Sequence, residues 1–168
     1  MEERHTLVVL VDNLPGVLAR VVGLFSGRGY NIESLTVSSI SPEDSISRIN
    51  IVTSGTSMVI NQTKAQLARL VPVHEVHDLT ADGPSVEKEI ALIKLVAEGV
   101  PRRESLRIAD IFKAKVADTT SGSFVFQLEG SEGKLNAFID LMRDLGQIEV
   151  ARSGVVAISR GTGLSLSK

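Results

Sequence analysis

The sequence has no cysteine, no tryptophan and only one tyrosine among its 168 residues. Without cysteine, disulfide bridges, thiolate zinc sites and a cysteine nucleophile are excluded. Aromatic residues make up 4% of the chain and the net charge is -2, so we expect neither a base-stacking surface nor the basic patch of a nucleic-acid-binding protein. No apolar run approaches the roughly 20 residues that span a bilayer, and Met1 leads into charged residues. These absences predict a cytoplasmic protein with no membrane or nucleic-acid partner.

The familiar catalytic patterns are also missing. There is no Gly-x-Ser-x-Gly, no phosphate-binding loop and no set of His, Ser and Asp at a familiar spacing. Glu87-Lys88-Glu89 offers two nearby carboxylates, but exposed charges at the start of a strand explain it more simply. His74 and His77 lie three apart on a predicted strand, where they would point to opposite faces and not converge on a metal. We expect no catalytic residues and no metal site.

Hydrophobic residues make up 43% of the chain, which is sufficient for a packed core, and the order of predicted elements repeats. The first half predicts strand, helix, strand, strand, helix and strand, near 5–11, 15–28, 31–40, 47–52, 57–70 and 73–79. The second half predicts the same order, near 90–96, 103–113, 115–119 and 124–129, then a helix capped by Ser131 and strand segments at 148–151 and 155–158. The fold class is therefore α+β, with two tandem ferredoxin-like βαββαβ domains.

The polar stretch 81–85 is predicted as a linker between a domain at 1–80 and a domain at 86–168. Each domain has about 80 residues, a size at which an exposed sheet face or edge usually needs a partner, so we expect dimerisation. Gly23 and Gly27, four apart on the first helix, would let another backbone approach closely. Fraying at the helix end explains Gly27 equally well.

The most informative segment is the turn from Asp12 to Leu18, between the first strand and the first helix. Pro15 is predicted in the first helical turn, where its missing N–H is not needed. Gly16 leaves space where the amides of Gly16, Val17 and Leu18 emerge, and such amides at the positive end of a helix dipole can hold a small carboxylate. The simpler alternative is that Pro15 and Gly16 only start a helix.

Two asparagines add polar groups to this candidate site. Asn13 and Asn31 offer side-chain oxygens for an ammonium group and amide N–H groups for a carboxylate. Val17 and Ile32 can line an aliphatic pocket, although both equally suit an ordinary core. Alternatively, Asn31 is only a turn residue after Gly29.

Two long strings resemble one known family. The first runs from Asp12 to Leu35 and ends in its most specific part, Arg28-Gly29-Tyr30-Asn31-Ile32-Glu33-Ser34-Leu35. The second is Ile148-Glu149-Val150-Ala151-Arg152-Ser153-Gly154-Val155, followed by Ser159-Arg160-Gly161. Over nearly its whole length the chain resembles the small, regulatory subunit of acetolactate (acetohydroxyacid) synthase, whose first domain is an ACT domain. The pair Leu14-Pro15 departs from that family, in which this loop often has small or acidic residues. The preference for one ligand over another can therefore differ from that of the family.

The resemblance implies a regulatory subunit that is not itself an enzyme. It implies a homodimer through the ACT domains, with a branched-chain amino acid, chiefly valine, at their interface. It also implies a large catalytic subunit as partner, which carries the thiamine diphosphate, magnesium and FAD. This chain would activate that subunit and confer feedback inhibition in valine, leucine and isoleucine biosynthesis. The effector-binding positions carried over by motif are Asn13, Gly16, Val17, Leu18, Asn31 and Ile32.

The alternative is a free-standing ACT-domain sensor that controls transcription or another enzyme, because tandem ACT-like units suit that role too. The string at 148–155 favours the synthase subunit. Arg152, Arg160 and Lys168 make the C-terminal segment mildly basic, so they either meet an acidic surface on the larger partner or remain solvated.

Overall fold

The computed structural model describes residues 1–41 and 43–164. The chain divides into two compact units. The first comprises Met1–Val86 together with the chain from Val155 onward, and the second comprises Glu87–Gly154. Pro42, in the turn expected after the second strand, and Lys168 lie outside the described residues.

The first unit follows the predicted βαββαβ order. Its elements are β1 (Glu3–Asp12), α1 (Val17–Ser26), β2 (Ser34–Ser41), β3 (Ile46–Gly55), α2 (Ser57–Leu67), β4 (Val73–Asp78) and a short α3 (Leu79–Asp82). The four strands form an antiparallel sheet in the order β2-β3-β1-β4. This order confirms a ferredoxin-like first unit.

The central strand β1 is apolar on both sides because both faces of the sheet are covered there. Leu7, Val9 and Val11 belong to the cluster that α1 and α2 complete, while Val8 and Leu10 belong to a cluster on the opposite face. None of the five is more than 2% exposed. A strand buried on both faces needs a continuous apolar run, which is what the sequence has.

The second unit repeats the topology of the first. Its elements are β5 (Ser85–Val96), α4 (Gly99–Phe112), β6 (Lys115–Thr119), β7 (Ser123–Gly130), α5 (Glu132–Arg143) and β8 (Gln147–Arg152). The sheet order β6-β7-β5-β8 matches that of the first unit. Ser131 caps α5, since its side chain accepts a hydrogen bond from the Lys134 amide. Phe124 and Phe126 lie in the core of this unit, so they are not an exposed stacking surface.

The last strand, β9 (Val156–Ser159), was expected in the second domain; in the structure it pairs with β5 and is grouped with the first unit. Val155 and Ala157 are buried against Val8, Leu10 and Val52, on the face of the first sheet opposite its helices. The sequence pattern missed this because an alternating strand segment does not reveal which sheet it covers.

Hydrogen bonds from the first sheet hold this C-terminal segment in place. The Val155 amide donates to Ser34 Oγ at 2.8 Å, and Thr36 Oγ1 donates to the Val155 carbonyl at 3.2 Å. Arg48 Nη2 donates to the Ala157 carbonyl at 2.7 Å. Val155 and Ala157 therefore cover the second face of the first sheet.

The predicted linker lies within the first unit and is more regular than expected. Of the linker predicted at 81–85, only Gly83 and Pro84 lie outside helices and strands. The preceding α3 was not predicted, because four residues are too few to show a helical period. Its start is fixed by Asp78, whose side chain accepts from the Ala81 amide at 3.2 Å.

Neighbouring valines test the position of the C-terminal segment. Val155 is 4% exposed and Val156 is 53% exposed. We expect Val155→Ala to lower the free energy of unfolding by about 2 kcal/mol, through lost apolar contact and a residual cavity. The matched control Val156→Ala should cost less than about 0.5 kcal/mol, as surface changes usually do. Urea unfolding measures both, and equal losses would show that Val155 does not pack on the first sheet.

Candidate functional site

The turn after β1 is held by backbone hydrogen bonds from two sides. The Asp12 amide donates to the Pro72 carbonyl at 2.9 Å, and the Asn13 amide donates to the Ser45 carbonyl at 2.6 Å. Ser45 itself has φ 52°, a left-handed conformation that few non-glycine residues adopt. The Asn13 residue is exposed, so its side-chain amide is presented on a fixed backbone.

Helix α1 begins at Val17, so the prediction that Pro15 occupies its first turn is wrong. Gly16 is the N-cap and has φ 82°, which favours glycine over residues with a Cβ. A Cβ at this position would meet no atom within 4 Å in the chain. Glycine is therefore required here by the backbone conformation rather than by crowding within the chain.

The first amides of α1 differ in what they bind. The Val17 amide donates to the Leu14 carbonyl at 3.3 Å, and the Arg20 amide donates to the Gly16 carbonyl at 3.2 Å. Within residues 1–41 and 43–164, no backbone carbonyl accepts from the amides of Leu18 or Ala19. Among the described residues, the amides of α1 without a backbone acceptor are thus those of Leu18 and Ala19, one residue later than expected.

The two apolar candidate residues of this turn differ in their exposure. Val17 is 6% exposed and belongs to the core beneath α1. Leu18 is 39% exposed and faces outward. Within one chain, only Leu18 of this pair offers apolar surface to a ligand.

Asn31 and Ile32 form a second group, just before β2. The Asn31 carbonyl accepts from Thr53 Oγ1 at 2.6 Å, and the residue lines a cavity of about 420 Å³ together with Gly29 and Thr56. Ile32 is half-buried and packs against the core of the first unit.

The strand register places the two groups at opposite ends of the first unit. Ser34, at the start of β2, pairs with Val52, and Val52 pairs with Thr6 near the start of β1. Asn13 follows the other end of β1, seven residues beyond the level of Thr6. At roughly 3.3 Å per residue, Asn13 and Asn31 are more than about 20 Å apart. One small amino acid cannot contact both groups of the same chain.

Comparison with known proteins decides the family. Two family models match: "AHAS small subunit-like ACT domain" over residues 7–75 and "Small subunit of acetolactate synthase" over residues 88–161. The acetolactate synthase isozyme 3 small subunit of Escherichia coli is 47% identical over 159 residues, covering 94% of this chain and 96% of that relative. The acetolactate synthase small subunit of Aquifex aeolicus is 44% identical over 158 residues, covering 94% and 81%.

A solved structure agrees over the whole fold. The crystal structure of an acetolactate synthase small subunit from Thermotoga maritima has a TM-score of 0.85 at 34% identity, and the match covers 96% of this chain and 99% of that one. The chain belongs to the acetolactate synthase small-subunit family. Small subunits are the regulatory part of a transferase, and the name implies a partnership with a large, catalytic subunit.

The two histidines that we did not expect to bind a metal each contact a carboxylate. His74 Nε2 lies 2.6 Å from Asp12 Oδ1, and His77 Nε2 lies 2.7 Å from Glu75 Oε2. In the part of the chain that the structure describes, no group of three or more metal-ligating side chains is found. None of the helices in that part is long and apolar enough to cross a membrane.

The acidic pair at 87–89 differs from the prediction of exposed charges. Glu89 is 6% exposed and accepts two hydrogen bonds from Arg152, at 2.9 Å from Nε and 2.6 Å from Nη2. Arg152 Nη1 also donates to Asn136 Oδ1 at 2.7 Å. The hydrogen bond with Glu89 raises the pKa of Arg152. Arg152 therefore has two acceptors within the second unit, while its side chain remains 31% exposed.

Sequence reasoning missed a buried polar cluster at the other end of β1. Asp78 is 1% exposed, and its carboxylate accepts from His5 Nδ1 at 3.0 Å and from Lys64 Nζ at 3.3 Å. Burial acts to raise the pKa of Asp78. The contacts with His5, Lys64 and the Ala81 amide outweigh it and hold that pKa below its ordinary 3.8. The cluster joins β1, α2 and β4, so it holds the sheet and the helix together.

Removing the Asp78 charge tests this role. We expect Asp78→Asn to lower the free energy of unfolding by about 3 kcal/mol near neutral pH, because its buried partners lose their counter-charge. The depressed pKa stabilises the fold above pH 3.8, and that contribution is lost as the pH falls through the lower, folded-state value. The variant should therefore lose less stability than the wild type on acidification below pH 3.8.

Denaturant unfolding at several pH values measures the Asp78 effect. The matched control is Asp140→Asn, because that carboxylate is 71% exposed and its ion pair with Arg143 spans one helical turn. Its cost should be at most about 0.5 kcal/mol. Similar losses in the two variants would contradict a special role for the buried cluster.

Proposed function

We propose that this chain is the regulatory subunit that activates the large catalytic subunit of acetolactate synthase and makes it sensitive to valine or a related branched-chain amino acid. The observation that carries the proposal is the open turn at Asn13–Leu18, with two amides of α1 facing outward, in a chain of this family. The thiamine diphosphate, magnesium and FAD of the reaction belong to the catalytic partner. The chain thus acts on the early reaction of valine, leucine and isoleucine biosynthesis by binding, not by chemistry.

The effector site is formed by two copies of the chain. Asn13 and Asn31 lie at opposite ends of the first unit, so a site that uses both must take one from each copy. A twofold axis that sets the two α1 helices antiparallel brings Asn13 of one copy beside Asn31 of the other. Each ACT-domain dimer then holds two equivalent sites. The edge strand β2 and the outer face of α1 form its interface.

Each part of an amino acid has a partner in such a site. The α-carboxylate binds the amides of Leu18 and Ala19 at the positive end of the α1 dipole. The side-chain amides of Asn13 and Asn31 orient the ammonium and carboxylate groups. The branched aliphatic side chain lies against the exposed surface of Leu18 and the partly exposed Ile32. A small, zwitterionic and aliphatic ligand matches all these groups.

Inhibition requires that valine distinguish two states of the complex. Valine bound between two ACT domains stabilises the dimer arrangement in which both halves of the site are correctly placed. If the large subunit is less active with that arrangement, binding shifts the population toward the inhibited state. The coupling free energy is the difference between the valine affinities of the two arrangements.

Asn13 provides the direct test of valine binding. We expect Asn13→Ala to weaken valine binding at least about tenfold, because a hydrogen bond to a charged group is lost. The matched control is Asn61→Ala, an exposed asparagine on α2, which should bind like the wild type. Isothermal titration of valine measures both, with the isolated chain and with its complex with the large subunit. Absence of valine binding by the wild-type complex would refute the proposed function.

Mixed dimers test whether the site is shared between copies. Two differently tagged chains, one with Asn13→Ala and one with Asn31→Ala, are co-expressed and purified on both tags. One of the two sites in each mixed dimer then contains both asparagines, so about half of the wild-type valine capacity should return. In the control, a wild-type chain is paired with the double variant Asn13→Ala/Asn31→Ala and should have no intact site. The reverse result would place the whole site within one chain.

A further inference from the structure

The pairing of β4 with β1 contains one extra residue, and that residue is His74. Leu10 pairs with Glu75 and the next residue, Val11, pairs with Val73, so the ladder passes over His74. Such a bulge redirects a side chain that regular strand alternation would place elsewhere. Neither the family assignment nor the proposed effector site gives His74 a role.

The bulge brings His74 to the residue that precedes Asn13. His74 Nε2 is 2.6 Å from Asp12 Oδ1, and the Asp12 backbone amide donates to the Pro72 carbonyl at 2.9 Å. Asp12 is the last residue of β1. The side chain and the backbone of Asp12 are therefore both fixed to the segment that carries His74, directly before the turn of the candidate site.

His77 provides an internal comparison. Its Nε2 lies 2.7 Å from Glu75 Oε2, nearly the same separation, but Glu75 is two residues away on the same strand. That pair joins no other element. Both pairs are about one-third to one-half exposed. The two histidines thus share strand, exposure and type of partner, and differ in that only His74 connects β4 to the end of β1.

We infer that His74 is a positioning residue for the effector turn: its imidazole holds Asp12 and thereby sets the place of Asn13. This inference rests on the proposed function. An imidazole gains a charge as the pH falls between about 8 and 5, and a charge-assisted hydrogen bond to a carboxylate is stronger than a neutral one. Valine, a zwitterion throughout that range, binds more tightly when His74 is protonated.

Three carboxylates lie on the elements next to His74, and Arg69 lies in the turn before β4. Asp12 on β1 bonds His74 itself, and Glu75 on β4 bonds His77. Asp44, in the turn that leads to Ser45, accepts from Ser41 Oγ at 2.8 Å. Protonation places a positive charge beside the Asp12 carboxylate, so the His74–Asp12 contact gives the expected pH dependence its direction.

The test measures binding and not activity, because the activity of the large subunit has its own pH dependence. Equilibrium dialysis with radiolabelled valine is performed on the complex of large and small subunits at pH 6 and pH 8. The wild type should bind about two- to fivefold more tightly at pH 6, the range of an exposed ion pair. His74→Gln should bind with the wild-type pH 8 affinity at both values. His74→Lys, with a permanent charge, should keep the tighter affinity at both.

The matched control is His77→Gln, which should retain the wild-type pH dependence. Thermal unfolding of each complex confirms that the variants are folded. The inference is overturned if His74→Gln keeps the pH dependence, or if His77→Gln loses it to the same extent. Wild-type complexes that bind no valine at either pH would instead refute the proposed function itself, so the two failures are distinguishable.

Discussion

The structure of the first unit depends on the burial of β1 on both of its faces. The run from Leu7 to Val11 lies between β3 and β4, with helices on one face and the C-terminal segment on the other. Because the apolar contacts are made on both sides, a shift of one residue in register would exchange the two sets of contacts and satisfy neither. The fixed register of β1 then determines where Asn13 and Asn31 lie.

Polar contacts close the two ends of this apolar strand. Near its start, His5 bonds the buried carboxylate of Asp78, which Lys64 also contacts. At its other end, Asp12 bonds His74. Each contact joins β1 to β4 at an edge of the apolar core. Polar groups that are buried or half-buried at such an edge need hydrogen-bond partners. The second of these contacts lies beside the candidate effector turn.

The two units share a topology but differ in how the second face of each sheet is covered. In the first unit, Val155 and Ala157 cover that face. In the second unit, β5 alternates between buried residues, such as Ile93, and exposed apolar residues, such as Leu92, which is 45% exposed. This difference is visible in the sequences of the two central strands: a continuous apolar run in β1 and a strict alternation in β5.

The sequence by itself determined the order of elements, the repeat and the family, because these depend on local periodicity and on contiguous strings. It also placed Gly16 and Asn31 in turns at the two ends of the first helix, as the structure has them. Tertiary structure decided that Val155 and Ala157 cover the first sheet, that Arg152 pairs with the buried Glu89, and that His74 reaches Asp12. It also set Asn13 and Asn31 at opposite ends of one unit. These features join residues that are distant along the chain, and the register and bulges that bring them together follow from packing on both faces of a sheet, which no local pattern records.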